Sequence, residues 1–145
     1  MIPIKGKMLI TGGLGFIRSH TVVQLISSGY EVVIVDDLSN AQLFIFNTIM
    51  KITRIKPSFY QTDVADKISI SGVLNKEKNI YAVIHFAAFK AVGESVKEAL
   101  KYFKNNLYSL INLIGCMNKS KIKNIIFSSS ASIYADVSLA EKEWD

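Results

Sequence analysis

Short apolar runs alternate along the chain with longer segments whose apolar residues recur at helical spacing. The short runs, which predict strands, cover residues 8–10, 31–35, 58–61, 81–86 and 124–128. The longer segments, which predict helices, cover residues 16–27, 41–55, 66–75 with Asp66 as the N-cap, and 96–117. Because strands and helices alternate with short connections, we expect an α/β fold with a Rossmann-like, doubly wound parallel sheet, truncated after about five strands.

Length and composition predict a single, incomplete domain over residues 1–145. Hydrophobic residues make up 50% of the chain and charged residues 20%, which is typical of a globular protein. After the last predicted strand only residues 129–145 remain, and a further strand–helix unit needs about 30 residues. We therefore expect a doubly wound domain that lacks its later strands, with no second domain.

Cysteine content and hydropathy bear on the compartment. The single cysteine, Cys116, excludes an internal disulfide and fits a reducing compartment. No segment approaches the roughly 18 apolar residues that cross a bilayer. The first apolar stretch is interrupted by glycines within a few residues, unlike a signal peptide. We expect a cytoplasmic protein that does not bind a membrane.

The formal charge of +5 raises the possibility of a nucleic-acid partner. The lysines and arginines are scattered, however, and their densest groups lie at predicted helix ends, where cations complement the helix dipole. The sequence shows no basic stripe and no aromatic platform for bases. We therefore expect no nucleic-acid binding. The two histidines, His20 and His85, are expected to be structural, because no cysteine or carboxylate cluster accompanies them to form a metal site.

A glycine-rich loop, TGGLGFIRSH at residues 11–20, follows the first predicted strand and opens the first predicted helix. Gly12 permits a tight turn, and Gly15 lets the backbone approach a pyrophosphate at the helix N-terminus. Asp36 follows the second strand, where a carboxylate accepts hydrogen bonds from an adenosine ribose. Such a carboxylate repels a 2′-phosphate, so the pattern predicts an NAD site rather than an NADP site.

Arg18 occupies the position where such loops carry their last glycine, which lets the helix pack closely on the sheet. Three interpretations are open. The arginine extends to solvent and weakens binding, its guanidinium reaches the pyrophosphate, or the residue is a damaging change in a chain under relaxed constraint. The first and third are favoured, because this position normally faces packed backbone.

The segments TGGLGFIRSH, HFAAFKAVGES and FSSSASIY resemble the N-terminal part of the UDP-glucose 4-epimerases, which belong to the extended short-chain dehydrogenase/reductases. The resemblance runs from about Lys7 to Tyr134 and implies bound NAD and a UDP-hexose substrate. The glycine loop alone indicates only the superfamily. The segment after the fourth strand is more particular, since related sugar-nucleotide enzymes differ there.

The resemblance also implies which residues bind the cofactor. They are Gly12, Gly15, Phe16, Ile17, Asp36, Asp37, Asn40, Asp63, Val64, Phe86, Ala87, Ala88, Lys90, Asn105 and Ser128. Within this set, Lys90 is implied to contact the nicotinamide ribose. Ser130 is implied to act in catalysis by hydrogen-bonding the sugar hydroxyl that is oxidised.

The implied reaction interconverts UDP-glucose and UDP-galactose, a step of galactose metabolism. A base removes the O4 proton while hydride passes from C4 to NAD, and hydride then returns to the other face of the 4-keto sugar. In the family the base is a tyrosine assisted by a lysine four residues later. The residues four places after the six tyrosines of this chain are Ile34, Val64, His85, Asn106, Asn112 and Ser138. Because none is lysine, we expect this chain to be inactive on its own.

Two functions remain open from the sequence. In the first, the chain is the N-terminal portion of a UDP-glucose 4-epimerase. In the second, it is a degenerate, non-catalytic Rossmann module that binds NAD weakly or acts only by association. Family members dimerise through a bundle that includes the helix matching the segment from Val96 to Met117, which implies a possible homodimer.

Overall fold

The computed structural model describes residues 5–87 and 98–129. Its strands are β1 (Lys7–Thr11), β2 (Glu31–Asp36), β3 (Ser58–Gln61), β4 (Ile80–His85) and β5 (Asn124–Phe127). Its helices are α1 (Phe16–Ser27), α2 (Leu43–Thr53), α3 (Lys67–Lys76) and α4 (Ala99–Lys119). This alternation confirms the predicted α/β fold.

The five strands form one parallel sheet in the order β3-β2-β1-β4-β5. The chain thus winds outward from β1 in both directions, which is the doubly wound arrangement that the sequence predicts. Thr11 pairs with Val35 on one side and with His85 on the other, and Asp36 pairs with Gln61. The carboxyl ends of the strands therefore meet at one edge of the sheet.

Strand residues alternate between two apolar cores, one on each face of the sheet. Leu9, Val33 and Val83 point to the face covered by α3 and α4. Ile10 and Ile34 point to the face covered by α1 and α2. Because both faces are covered, β1 and β2 are apolar at every position except their two ends, as strands of parallel sheets are.

Local backbone chemistry explains where the helices begin and end. The Asp66 carboxylate accepts hydrogen bonds from the backbone N–H groups of Ile68 and Ser69, which confirms the predicted cap of α3. The predicted range 41–55 is too long for α2, because Gln42 is still extended and Arg54 has a φ of 58°. A left-handed residue of this kind ends a helix.

The amino-terminal edge of the sheet carries a polar cluster. Lys7 donates to Glu77 at 2.8 Å and forms an ion pair with Glu31 at 2.9 Å, and the Tyr60 hydroxyl donates to Glu77 at 2.8 Å. Burial by itself raises the pKa of Glu77, but the hydrogen bonds from Lys7 and Tyr60 outweigh it and leave this pKa below its ordinary value. These contacts tie β1, β2 and β3 to the end of α3, opposite the carboxyl edge.

None of the helices within residues 5–87 and 98–129 is long and apolar enough to cross a membrane.

Candidate functional site

A cleft opens at the carboxyl edge of the sheet, next to the end of β1, the strand from which the strand order runs outward in both directions. This is the position at which open α/β sheets bind ligands. Its lining consists of Gly12, Gly15, Phe16, Arg18, Asp36, Asp37, Ser39, Asn40, Ala41, Thr62, Asp63, Val64, Ala87, Asn105 and Ser109. The glycine loop, the ends of β2 and β3, and one face of α4 thus surround a single space.

The glycine loop is held close to the sheet by backbone contacts. Gly12 has a φ of 65°, which a side chain rarely adopts, and its N–H donates to the carbonyl oxygen of Val35 at 2.6 Å. A Cβ on Gly13 would lie 3.0 Å from a methyl group of Ile34. The turn therefore requires its glycines, and it delivers the chain to α1 with the first N–H groups of that helix at the cleft.

Asp36 lies at the end of β2 and is 6% exposed. One carboxylate oxygen accepts a hydrogen bond from the N–H of Leu14 at 2.9 Å, and the other accepts from the N–H of Leu38 at 3.0 Å. Asp36 therefore holds the glycine loop and the loop after β2 in place. Each carboxylate oxygen keeps further acceptor capacity, so the same group remains able to accept a ribose hydroxyl.

Thr11 and His85 join the ends of β1 and β4. The Thr11 hydroxyl oxygen lies 2.7 Å from Nδ1 of His85, and it accepts from the N–H groups of Phe86 and Ala87, each at 3.2 Å. Two accepted bonds leave the hydroxyl proton for Nδ1, which requires a neutral imidazole. Burial, with the positive charge of Arg18 as a smaller cause, lowers the pKa of His85 to about 4. His85 is thus structural, as the sequence predicts.

The far side of the cleft is polar and more open. Asp63 and Thr62 follow β3, and the Asp63 carboxylate accepts from the N–H of Ala65 at 2.8 Å. Asn105 and Ser109 face the cleft from successive turns of α4. These four side chains line the far side of the cleft with hydrogen-bonding groups.

The structure differs from the first interpretation of Arg18, in which the side chain extends to solvent. Arg18 is half-buried, and its Nη1 donates to the carbonyl oxygen of Gly12 at 3.2 Å. Its Nη1 lies 2.6 Å from the point that a Cβ would occupy on Gly12, and its Cδ and Nε lie 3.0 Å from the equivalent point on Gly15. The side chain turns inward because these glycines leave space beside it.

Most of the cofactor residues implied by the resemblance lie in the cleft lining. Those that do are Gly12, Gly15, Phe16, Asp36, Asp37, Asn40, Asp63, Val64, Ala87 and Asn105. Ile17, Phe86 and Ser128 lie close in the chain to lining residues or strand ends but are not part of the lining. Ala88, Lys90 and Ser130 lie outside the described residues, as does much of the segment that made the resemblance particular.

Five lining residues were not among the implied cofactor residues: Arg18, Ser39, Ala41, Thr62 and Ser109. Ser109 is detectable in principle, because it lies one helical turn after Asn105 and shares its face. Thr62 is detectable as the first residue after β3, at the edge where ligands bind. Ser39 and Ala41 lie in the loop after β2, which has no repeating sequence pattern, so the sequence does not predict whether they face the cleft.

The parallel sheet and the glycine loop at its carboxyl edge define a Rossmann-type dinucleotide-binding domain. Comparison with known proteins agrees. The model of the NAD dependent epimerase/dehydratase family matches residues 8–145, and the chain belongs to this family.

Several curated relatives and solved structures carry the same enzyme name. The UDP-glucose 4-epimerase of Schizosaccharomyces pombe is 48% identical over 132 residues, which cover 91% of this chain and 37% of that protein. A UDP-glucose 4-epimerase of Klebsiella pneumoniae is 43% identical and covers 90% of this chain and 93% of its own length. The crystal structure of the Bifidobacterium longum enzyme, in complex with NAD+ and UDP, superposes with a TM-score of 0.85 at 42% identity, over 88% of this chain and 38% of that one. The chain thus spans somewhat over a third of the length of most of these relatives.

Proposed function

We propose that residues 1–145 form one incomplete NAD-binding domain and that the cleft at the carboxyl edge is its NAD site. The observation that supports this proposal is the lining of the cleft, which brings the glycine loop and Asp36 together with Asp63 and Asn105. In this site Asp36 and its neighbours Asp37 and Asn40 bind the adenosine ribose, Asp63 and Val64 border the adenine, and the start of α1 faces the diphosphate. Solved relatives hold NAD in a fold of the same topology.

We propose further that the chain is the cofactor-binding portion of a UDP-glucose 4-epimerase acting on a UDP-hexose. When bound, NAD supplies the hydride acceptor for oxidation at C4 of the sugar. The chain contributes Lys90 to the nicotinamide ribose and Ser130 to the reacting sugar hydroxyl. It holds no tyrosine with a lysine four residues later, so no group in it matches the proton-transfer pair of the family.

The first test is equilibrium titration of the purified chain with NAD and, separately, with NADP. We expect saturable NAD binding and at least roughly tenfold weaker NADP binding, because the Asp36 carboxylate repels a 2′-phosphate. Addition of UDP-galactose to the NAD-loaded chain is expected to produce no UDP-glucose. Absence of a saturable signal at millimolar NAD would remove the cofactor site, and turnover would remove the claim of inactivity.

A second candidate function is the degenerate, non-catalytic Rossmann module. The position of Arg18 favours it, because a side chain that lies on two glycines of the loop hinders the approach of a diphosphate. The two candidates differ in affinity: the module binds NAD weakly or acts only by association. The cytoplasm is the proposed location for either, because the buried free thiol of Cys116 suits a reducing compartment.

We propose a homodimer through α4. The helix exposes an apolar stripe at helical spacing, formed by Leu100, Phe103, Leu107, Ile111 and Ile114. Their exposed fractions lie between 48% and 77%, and contiguous exposed apolar patches mark interaction surfaces.

Sedimentation of the parent chain tests this dimer directly. We expect the mass of two 16.1 kDa chains for the parent and of one chain for the double variant Phe103→Lys, Ile111→Lys. The double variant Ile52→Lys, Ile68→Lys is the control, since it adds the same charge at exposed apolar positions of α2 and α3. A parent that sediments as a single chain at every concentration would exclude the dimer.

A further inference from the structure

Arg18 covers the part of the glycine loop that a phosphate would approach. Its Cδ, Nε and Cζ atoms lie 3.0–3.1 Å from the point where Gly15 would carry a Cβ, and Nη1 lies 2.6 Å from that point on Gly12. Phosphates bind at helix N-termini because the first backbone N–H groups have no partner within the helix and are accessible to a ligand. The arginine therefore takes the space that the two glycines would leave for a ligand.

Two interactions hold the guanidinium in this position. Nη1 donates to the Gly12 carbonyl oxygen at 3.2 Å, and the Asp36 carboxylate attracts the cation from across the loop. Burial lowers the pKa of Arg18 below its ordinary value, and the charge of Asp36 opposes this change. The side chain is thus a partly desolvated cation that lies inside the cleft.

A rotation of the guanidinium alone does not clear the loop. Only the tip of the side chain lies on Gly12, but its middle, Cδ and Nε, lies on Gly15. The whole side chain must leave before a diphosphate can approach the start of α1. The opposite end of the cleft, at Asp37, Asn40 and Asp63, is separate from these contacts and stays available.

We propose that Arg18 determines the ligand selectivity of the cleft by occupying the diphosphate position and leaving the adenosine position open. The chain then binds adenosine almost as well as NAD, because the diphosphate and nicotinamide parts add little affinity. This inference rests on the proposed NAD site.

The test is titration of the full chain and its variants with adenosine, ADP and NAD. For the parent we expect NAD and adenosine affinities within about threefold of each other. For Arg18→Gly we expect NAD and ADP to bind at least about tenfold more tightly, with adenosine affinity unchanged. Arg18→Ala, which keeps a good helix former in α1, is expected to show the same pattern.

Two further variants separate bulk from charge. Arg18→Met keeps the length of the side chain without its charge and is expected to leave NAD binding weak. Arg54→Gly removes the same charge from an exposed site at the end of α2, outside the cleft lining, and is expected to leave all three affinities unchanged.

The outcomes distinguish this inference from the proposed function. Weaker NAD binding in both Arg18→Gly and Arg18→Met would show that the guanidinium is a phosphate ligand and would overturn the inference alone. Tight NAD binding by the parent, with adenosine much weaker, would do the same. Failure of every variant to bind adenosine or NAD would overturn the NAD site itself.

Discussion

Replacing Asp36 with asparagine is expected to lower the free energy of unfolding by about 3 kcal/mol, or roughly 10 °C in melting temperature. Both carboxylate oxygens accept backbone N–H groups, a buried one from Leu14 and a partly buried one from Leu38. The asparagine amide offers one oxygen and one NH2 group. One of the two backbone N–H groups would therefore face the NH2 group, which is itself a donor. A buried donor without an acceptor carries its full desolvation cost.

Asp37→Asn is the matched control for this experiment, because Asp37 is the next residue and is exposed. Its change in the free energy of unfolding should stay within about 0.5 kcal/mol. Urea unfolding of both variants, followed by circular dichroism, measures the difference. Equal stabilities would show that the carboxylate of Asp36 does not hold the glycine loop, and the proposed geometry of the cleft would lose its anchor.

The low pKa of His85 is expected to reduce the free energy of unfolding by about 3 kcal/mol as the pH falls from 6.5 to 4. Its pKa is about 4 in the folded chain, below the ordinary 6.5 that the unfolded chain regains. Between these values the unfolded state takes up a proton that the folded state does not. The contribution of His85 is therefore complete above pH 6.5 and is lost as the pH falls towards 4.

The matched comparison is His85→Gln against the parent, with the free energy of unfolding measured at intervals from pH 7 to pH 4. In the glutamine variant the free energy of unfolding should depend much less steeply on pH, although this variant is also less stable than the parent at pH 7. His20→Gln should keep the slope, because His20 is exposed. The same slope in His85→Gln and the parent would contradict the buried neutral imidazole, since the carboxylates titrate alike in both.

Sequence patterns predicted the fold well because they report burial. The alternation of Leu9 and Ile10 between two cores follows from a strand that is apolar on both faces. The cap at Asp66 follows from the local chemistry of a carboxylate before a helix. The placement of the site at the carboxyl edge follows from the parallel sheet, whichever residues occupy it.

The direction of individual side chains was harder to predict. The sequence leaves three interpretations of Arg18 open and favours extension to solvent or a damaging change. The inward turn of the side chain depends on space left by Gly12 and Gly15, which only the folded loop creates. The double role of Asp36 likewise depends on two N–H groups from different loops. Such contacts join residues by tertiary geometry, and no short-range pattern reports them.

NAD binding in the carboxyl-edge cleft can be located residue by residue. The direct measurement is the change in backbone amide NMR shifts of the 15N-labelled chain as NAD is added to millimolar concentration. We predict shifts confined to the cleft, at Asp36, Asn40 and Asp63 above all, with none at Lys7 and Glu77 on the opposite edge. Shifts centred elsewhere, or no shifts at all, would contradict an NAD site in this cleft.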